Sequence, residues 1–385
     1  MTVTRLKGMR GIGVDKMGAV ADAAGSSEIL RLENLDTDLR PPAVALAATK
    51  RAVDDDDANS YLPFLGQHDL RQAVVAHVGR ASGQTYDPGA ECIITAGGLS
   101  GCLISLLALL EPGDEVIMTD PTYIGMTNRV RVAGGRPVLV PLLRQEGAWR
   151  LDLDALRSAV TEKTRALFIM SPSMPSGAVL TAEEWQAIAA LCRERDLWLL
   201  YNAAMERILY DGRQPLHPAS LEGMAARTIT VGSASKELRM IGWRVGWVVG
   251  PAEIMADVAL VSISDVVVPV GIAQAAAAAA LREPPSDVAA AVAEWQARRD
   301  VIVAELAGLP LTPAAGSWSM LLDTGALGHG AADASRRLLE RGAVAATAMD
   351  GWGQVNGGQF VRLVFSNEPV ARLRGLGERV RRALT

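Results

Sequence analysis

Cysteine is scarce in this chain of 385 residues: there are three, Cys92, Cys102 and Cys192. An odd number, without metal-ligand spacing and set in apolar surroundings, argues against a disulfide framework and predicts buried free thiols in a reducing compartment. The four histidines, His68, His77, His217 and His329, fall in no motif, and no metal site is expected. Charge of one sign is also lacking. A net charge of -5 speaks against nucleic acid or an anionic membrane as the main partner. No apolar run is long and uninterrupted enough to span a bilayer, and the opening MTVTRLKGMRG has no apolar targeting core. No tandem repeat is present. The expectation is a soluble, cytoplasmic protein.

Apolar residues make up 49% of the chain, ample material for two domains folded around each other. The acidic run Asp54 to Asp57 reads as a solvated loop or helix start. Pro41-Pro42 opens a predicted helix over Ala43 to Val53. The alanine run Ala273 to Ala280 reads as a closely packed core helix. Between Glu91 and Pro251 strands and helices alternate, the pattern of a parallel sheet. Within it, Cys92 to Thr95 is a strand, Ala96-Gly97-Gly98 a turn, and Cys102 to Leu110 a helix. A helix start offers free N–H groups and the positive dipole end to a phosphate. Further on, Ala166 to Met170 reads as a strand, and Thr181 with Glu184 as a capping box for a helix to about Arg195. Short strands are expected near Trp318 to Leu322 and Phe360 to Phe365.

The stretch Ile229 to Pro251, ITVGSASKELRMIGWRVGWVVGP, organises the rest. Two β-branched runs enclose a small-residue segment, Gly232-Ser233-Ala234-Ser235, then Lys236, and then Arg244 between Gly242 and Gly246. A lone lysine is ordinarily a solvated surface residue. Here hydroxyls before it and an arginine after it would form an anion pocket beside an amine, suited to a phosphorylated aldehyde held as a Schiff base.

Ser233-Ala234-Ser235-Lys236 followed by Gly242-Trp243-Arg244-Val245-Gly246 resembles the cofactor-lysine signature of class I/II aminotransferases, fold-type I enzymes that use pyridoxal 5'-phosphate (PLP). The resemblance runs through nearly the whole chain. It implies an α/β fold with a large, mostly parallel seven-stranded sheet domain and a small α+β domain built from both termini. On that pattern residues 1–50 are the N-terminal arm and part of the small domain, 51–272 the PLP-binding domain, and 273–385 the C-terminal small domain. The resemblance makes Lys236 the Schiff-base lysine and puts Ser233, Ser235 and Arg244 at the cofactor, with Gly98 and Leu99 as backbone phosphate donors. Tyr123 falls on the ring-stacking position. Tyr61 falls on the tyrosine that reaches the other subunit's phosphate, so a homodimer with shared active sites is implied. Arg362 matches the arginine that clamps the substrate α-carboxylate. Where the family often has a glycine near that carboxylate, this chain has Asn34 or Leu35. Trp318 sits where aromatics often line the substrate pocket, though core packing explains it almost as well.

Three positions depart from the pattern. Ser171-Pro172-Ser173-Met174-Pro175-Ser176-Gly177 follows the family's Asn-Pro-rich turn, but Met174 replaces an asparagine that donates to the cofactor's phenolic oxygen. Met205 replaces a tyrosine that bonds the same oxygen, and a thioether cannot donate. Asn202 replaces the aspartate facing the pyridine nitrogen. The leading reading is an aminotransferase acting on an amino acid and a 2-oxo acid. The alternative is another fold-type I reaction: elimination or replacement, oxidative deamination, or racemisation.

Overall fold

The computed structural model describes Val3, Leu6, Gly8, Met9, Gly11 and residues 13–385. The N-terminal arm expected within residues 1–50 thus begins outside the described residues. The first strand, β1, is Leu30–Arg31. The next eight are β2 (Cys92–Thr95), β3 (Glu115–Asp120), β4 (Arg136–Gln145), β5 (Ala148–Leu151), β6 (Thr164–Met170), β7 (Trp198–Asn202), β8 (Thr228–Ser233) and β9 (Gly246–Val249). They form one sheet in the order β2-β9-β8-β7-β6-β3-β4-β5.

From β8 across β7, β6 and β3 to β4 the neighbours are parallel. Between β2 and β8, β9 runs antiparallel to both. Side chains of β3 and of β7 beyond its first residue are buried on both faces, as apolar runs in a helix-covered parallel sheet must be. The sheet has one strand more than the seven expected. The extra one, β5, returns along β4 through Glu146 and Gly147, whose φ angles are 50° and 76°. Two positive φ values match the right-handed strand twist in a two-residue hairpin, but Glu-Gly is a weaker signal for that turn than Asn-Gly.

Helices cover the sheet. The one after β2 spans Gly98–Leu109, starting four residues before the expected Cys102. Its first turn is glycine-rich, yet Ser100 and Gly101 already donate to the Gly97 carbonyl at 3.1 and 3.3 Å. The helices Ala43–Val53 and Ala182–Glu194 form as expected, the second with the full Thr181–Glu184 capping box. The alanine-rich helix Gly271–Arg282 packs against Ala43–Val53 and His68–Ser82. Ala273, Ala276, Ala277, Ala278 and Ala280 are buried there, small enough for close helix approach. The three cysteines are free and buried.

A second, antiparallel sheet has the order β10-β11-β14-β13, with β10 at Leu311–Thr312, β11 at Ser319–Asp323, β13 at Thr347–Ala348 and β14 at Phe360–Val364. The remaining strand, β12 (Val344–Ala345), pairs in parallel with β1. Early and late parts of the chain are thereby joined beside the large sheet. Among the described residues, no helix is long and apolar enough to cross a membrane.

One close approach fixes how the large sheet meets its first helix. A Cβ on Gly246, the first residue of β9, would lie 2.4 Å from the Gly98 nitrogen and 2.5 Å from the Gly97 carbonyl carbon. Backbone cannot yield as a flexible side chain does, so Gly246→Ala is expected to cost about 1–3 kcal/mol. Urea unfolding checks this, and an unchanged midpoint would contradict the packing described.

Candidate active site

Parallel strands end together, and their C-terminal edge is where an α/β sheet offers a crevice. Here β6 ends at Met170, β7 at Asn202 and β8 at Ser233. These ends, the start of helix Gly98–Leu109, the loop after β8 and the middle of β14 enclose a cavity of about 270 Å³. Of the sequence-derived candidates it gathers Asn34, Gly98, Leu99, Tyr123, Met174, Asn202, Met205, Ser233, Ser235, Lys236, Arg244 and Arg362.

One end of the cavity is built to meet an anion. The helix Gly98–Leu109 begins without a side-chain cap, behind Gly97 at φ 90°. The Arg244 guanidinium lies against that backbone, since a Cβ on Gly97 would come within 2.5 Å of Arg244 Nη2. Arg244 is itself left-handed at φ 55° and donates from Nη1 to the Ile241 carbonyl at 2.9 Å and to Ser235 Oγ at 3.4 Å. Ser233 Oγ accepts from the Ser235 N–H at 3.1 Å. Helix start, two hydroxyls and a guanidinium together are groups suited to an anion such as a phosphate.

Lys236 faces the same space. Its Nζ donates to the Leu35 carbonyl at 3.0 Å and stands 4.8 Å from the centre of the Trp318 ring. Burial pushes its pKa down to about 7, with Asp36 opposing and Arg362 and Arg244 adding to the fall. Trp318 lies beneath the amine rather than in the lining. It is fully buried and packs edge-on against Trp295 at 4.9 Å, so its role in the fold is packing and contact with Lys236.

Arg362, only 1% exposed, comes up from the middle of β14. It donates from Nη2 to the Glu33 carbonyl at 2.6 Å and from Nη1 to Met174 Sδ at 3.5 Å, over the Trp352 ring at 5.1 Å. Its Nε is buried without a partner, and no ion pair to it occurs among the described residues. Burial lowers its pKa to about 10, which leaves it charged at neutral pH. A buried guanidinium with no ion pair and an unpartnered Nε, feeling the Glu33 carboxylate only through space, invites a carboxylate.

The remaining wall is rich in sulfur: Met126, Met170, Met174 and Met205 line it. Met205 Sδ accepts from Ser317 Oγ at 3.0 Å, and Asn202 Nδ2 reaches Met126 Sδ at 3.8 Å. Tyr61 stands apart from the cavity, 85% exposed. Arg129, Arg131 and Arg239 do not line it; Arg129 donates to the Leu99 and Gly125 carbonyls, and Arg239 pairs with Asp287. Sequence reasoning missed Met126, Met170 and the main-chain carbonyls of Glu33 and Leu35. A carbonyl carries no residue-type signal, and a methionine after a strand looks like core.

The profile of the family described as aminotransferase class I and II matches residues 29–376. The chain belongs to that family. This aminotransferase is 36% identical over 360 residues to the arginine–pyruvate transaminase AruH of Pseudomonas aeruginosa, covering 91% of this chain and 90% of that one. It is 32% identical over 348 residues to an aspartate aminotransferase of Pyrococcus abyssi, covering 89% of each. The solved N-succinyldiaminopimelate aminotransferase of Mycobacterium tuberculosis superposes with a TM-score of 0.92 at 33% identity, over 99% of both chains. Aspartate aminotransferase from Thermus thermophilus with maleate gives 0.91 at 30% identity over the full length of both. The enzyme is therefore a PLP-dependent transferase of the fold-type I class. Its cavity fits that cofactor: a phosphate cradle at the uncapped helix start, an amine of lowered pKa, and room between them.

The perturbed amine gives a test on the apoprotein. Lys236 holds its proton less tightly folded than unfolded, so its effect on stability becomes more favourable as pH rises from about 7 toward 10.5. Acylation of Lys236 by an amine-reactive reagent should rise with pH around 7, while exposed lysines follow only near 10. Peptide mass spectrometry reads both. A Lys236 profile matching the exposed lysines would contradict the site's electrostatics.

Proposed function

We propose that this enzyme moves an amino group between an amino acid and a 2-oxo acid, with Lys236 as the residue that holds the cofactor covalently through Nζ. The observation carrying this is that Lys236 and Arg362, whose Nε has no hydrogen-bond partner, face one cavity. Bound PLP supplies an aldehyde for a primary amine and a ring that draws electron density from the substrate's α-carbon. Around it the chain's own groups have separate tasks. Gly98, Leu99, Ser233, Ser235 and Arg244 would hold the phosphate, and Tyr123 the ring face. Arg362 would take the α-carboxylate as a planar fork, its unpaired Nε gaining a partner. The substrate's own amine would take the place of Lys236 Nζ at the aldehyde carbon, and the freed Nζ would then take the α-proton and return it at another carbon. An amine near pKa 7 is suited to both halves of that transfer.

Main-chain carbonyls accept from both cations, Leu35 from Lys236 and Glu33 from Arg362. The chain offers no further lining cation among its described residues, and Val14, Leu35 and Ile241 complete the wall. We therefore read the substrate side chain as uncharged. A second reading, elimination or deamination in place of transfer, draws support from Met174 and Met205, whose sulfurs accept from Arg362 and Ser317 and leave no donor for the phenolic oxygen. Formation of 2-oxo acid without free ammonia in a single-turnover experiment separates the two.

The two-domain division at residues 50 and 272 and a dimer with shared sites belong to the same proposal. Tyr61 at 85% and Phe64 at 48% exposure present aromatic surface for a second copy. Sedimentation should give twice 40.7 kDa.

Arg362→Met is expected to lower kcat/KM for the amino acid by about a hundredfold, as removing one partner of a buried charged pair costs about 2–5 kcal/mol. Cofactor absorbance should persist. Unchanged kcat/KM would remove Arg362 from the substrate site.

A further inference from the structure

The polarity of one side-chain amide decides what the cofactor's ring nitrogen meets. Asn202 ends β7 with its side chain buried in the cavity wall. Its carbonyl oxygen, Oδ1, accepts the Ala204 N–H at 3.1 Å. A main-chain N–H can only donate, so this contact fixes which end of the amide is oxygen. The NH2 end is directed at Met126, which also lines the cavity, through a long contact of 3.8 Å to its Sδ. A thioether is a weak acceptor and leaves donor capacity unspent.

The charged side chains that line the cavity have one sign, with the Asp36 and Glu33 carboxylates acting from behind the lining on Lys236 and Arg362. The titratable groups lining it are Lys236, Arg244, Arg362 and Tyr123, and no carboxylate lines it among the described residues. A ring whose aldehyde carbon is taken by Lys236 carries its nitrogen at the opposite, para position, away from the amine. A cation formed there would be buried without a counter-charge, against thioethers and in a field already set by two guanidiniums.

We propose that Asn202 acts as a hydrogen-bond donor, through Nδ2, to an unprotonated pyridine nitrogen, so that this enzyme holds its cofactor ring neutral at physiological pH. The inference rests on the reading of the site given above. It assigns Asn202 as a contact to the ring and predicts that the substrate's carbanion charge is spread less onto the nitrogen. A larger share of the negative charge developing at the α-carbon would then be met by Lys236, protonated as it takes the α-hydrogen, and by the positive charge of Arg362.

The test is nitrogen-15 NMR of the full-length enzyme reconstituted with PLP labelled at the ring nitrogen, recorded between pH 6 and pH 8, with absorbance of the same sample. A resonance at the neutral, hydrogen-bonded pyridine position across that range is expected. In Asn202→Asp it should move to the pyridinium position, and in Asn202→Leu to that of a neutral pyridine without a donor. A pyridinium resonance in the unmodified enzyme overturns the inference and leaves the cofactor reading standing. Absence of any Lys236-dependent cofactor absorbance overturns both. Because the unmodified enzyme decides the matter, the inference is tested even if the variants fail to fold.

Discussion

Three cations, Lys236, Arg244 and Arg362, face one cavity that no carboxylate lines among the described residues. Concentrating like charge in a half-dry space is unfavourable unless something neutralises it. Two of the three lean on main-chain carbonyls, and Arg244 also uses one, that of Ile241. A carbonyl dipole satisfies a hydrogen bond without cancelling a charge. The cavity thus retains affinity for anions, one at the helix start and one at β14, with an amine of lowered pKa between them.

The short segment from Glu33 to Asp36 ties this arrangement together. Its Glu33 carbonyl accepts from Arg362 and also from Thr347, its Leu35 carbonyl from Lys236, and its Asp36 carbonyl from Ser366. Strand β1 lies just before it and pairs with β12, so a few early residues bridge the late small sheet and the lysine loop of the large one. Movement of this segment would release both cations at once. On the opposite side, Gly97 and Gly246 bring the helix start against β9 and seat Arg244 beside it. These contacts, rather than any single ion pair, set the spacing between the two anion-seeking ends.

Much of this was legible in residue order. The lysine loop, the glycine turn before a helix, the capping box at Thr181 and the alternation of strand and helix each have a local physical signature. Asn202, Met174 and Met205 were located through the family resemblance, with neighbouring turns anchoring the register. What they do was not legible, since an asparagine reads equally as donor or acceptor until its partner, the Ala204 N–H, is known. The eighth strand was hidden by a weak turn sequence, Glu146-Gly147. Trp318 looked almost equally like pocket or core, and only folding shows it packed edge-on against Trp295 beneath the amine. The carbonyl partners of Lys236 and Arg362 come from residues roughly two and three hundred positions away, beyond the reach of any local pattern.

The central claim is that one amine carries the cofactor. Borohydride reduction of the PLP-loaded enzyme, followed by peptide mapping, tests it directly. A single phosphopyridoxyl group on the Nζ of Lys236 is expected, lost in Lys236→Ala. A label on another lysine, or none in a protein that keeps its fold, would contradict it.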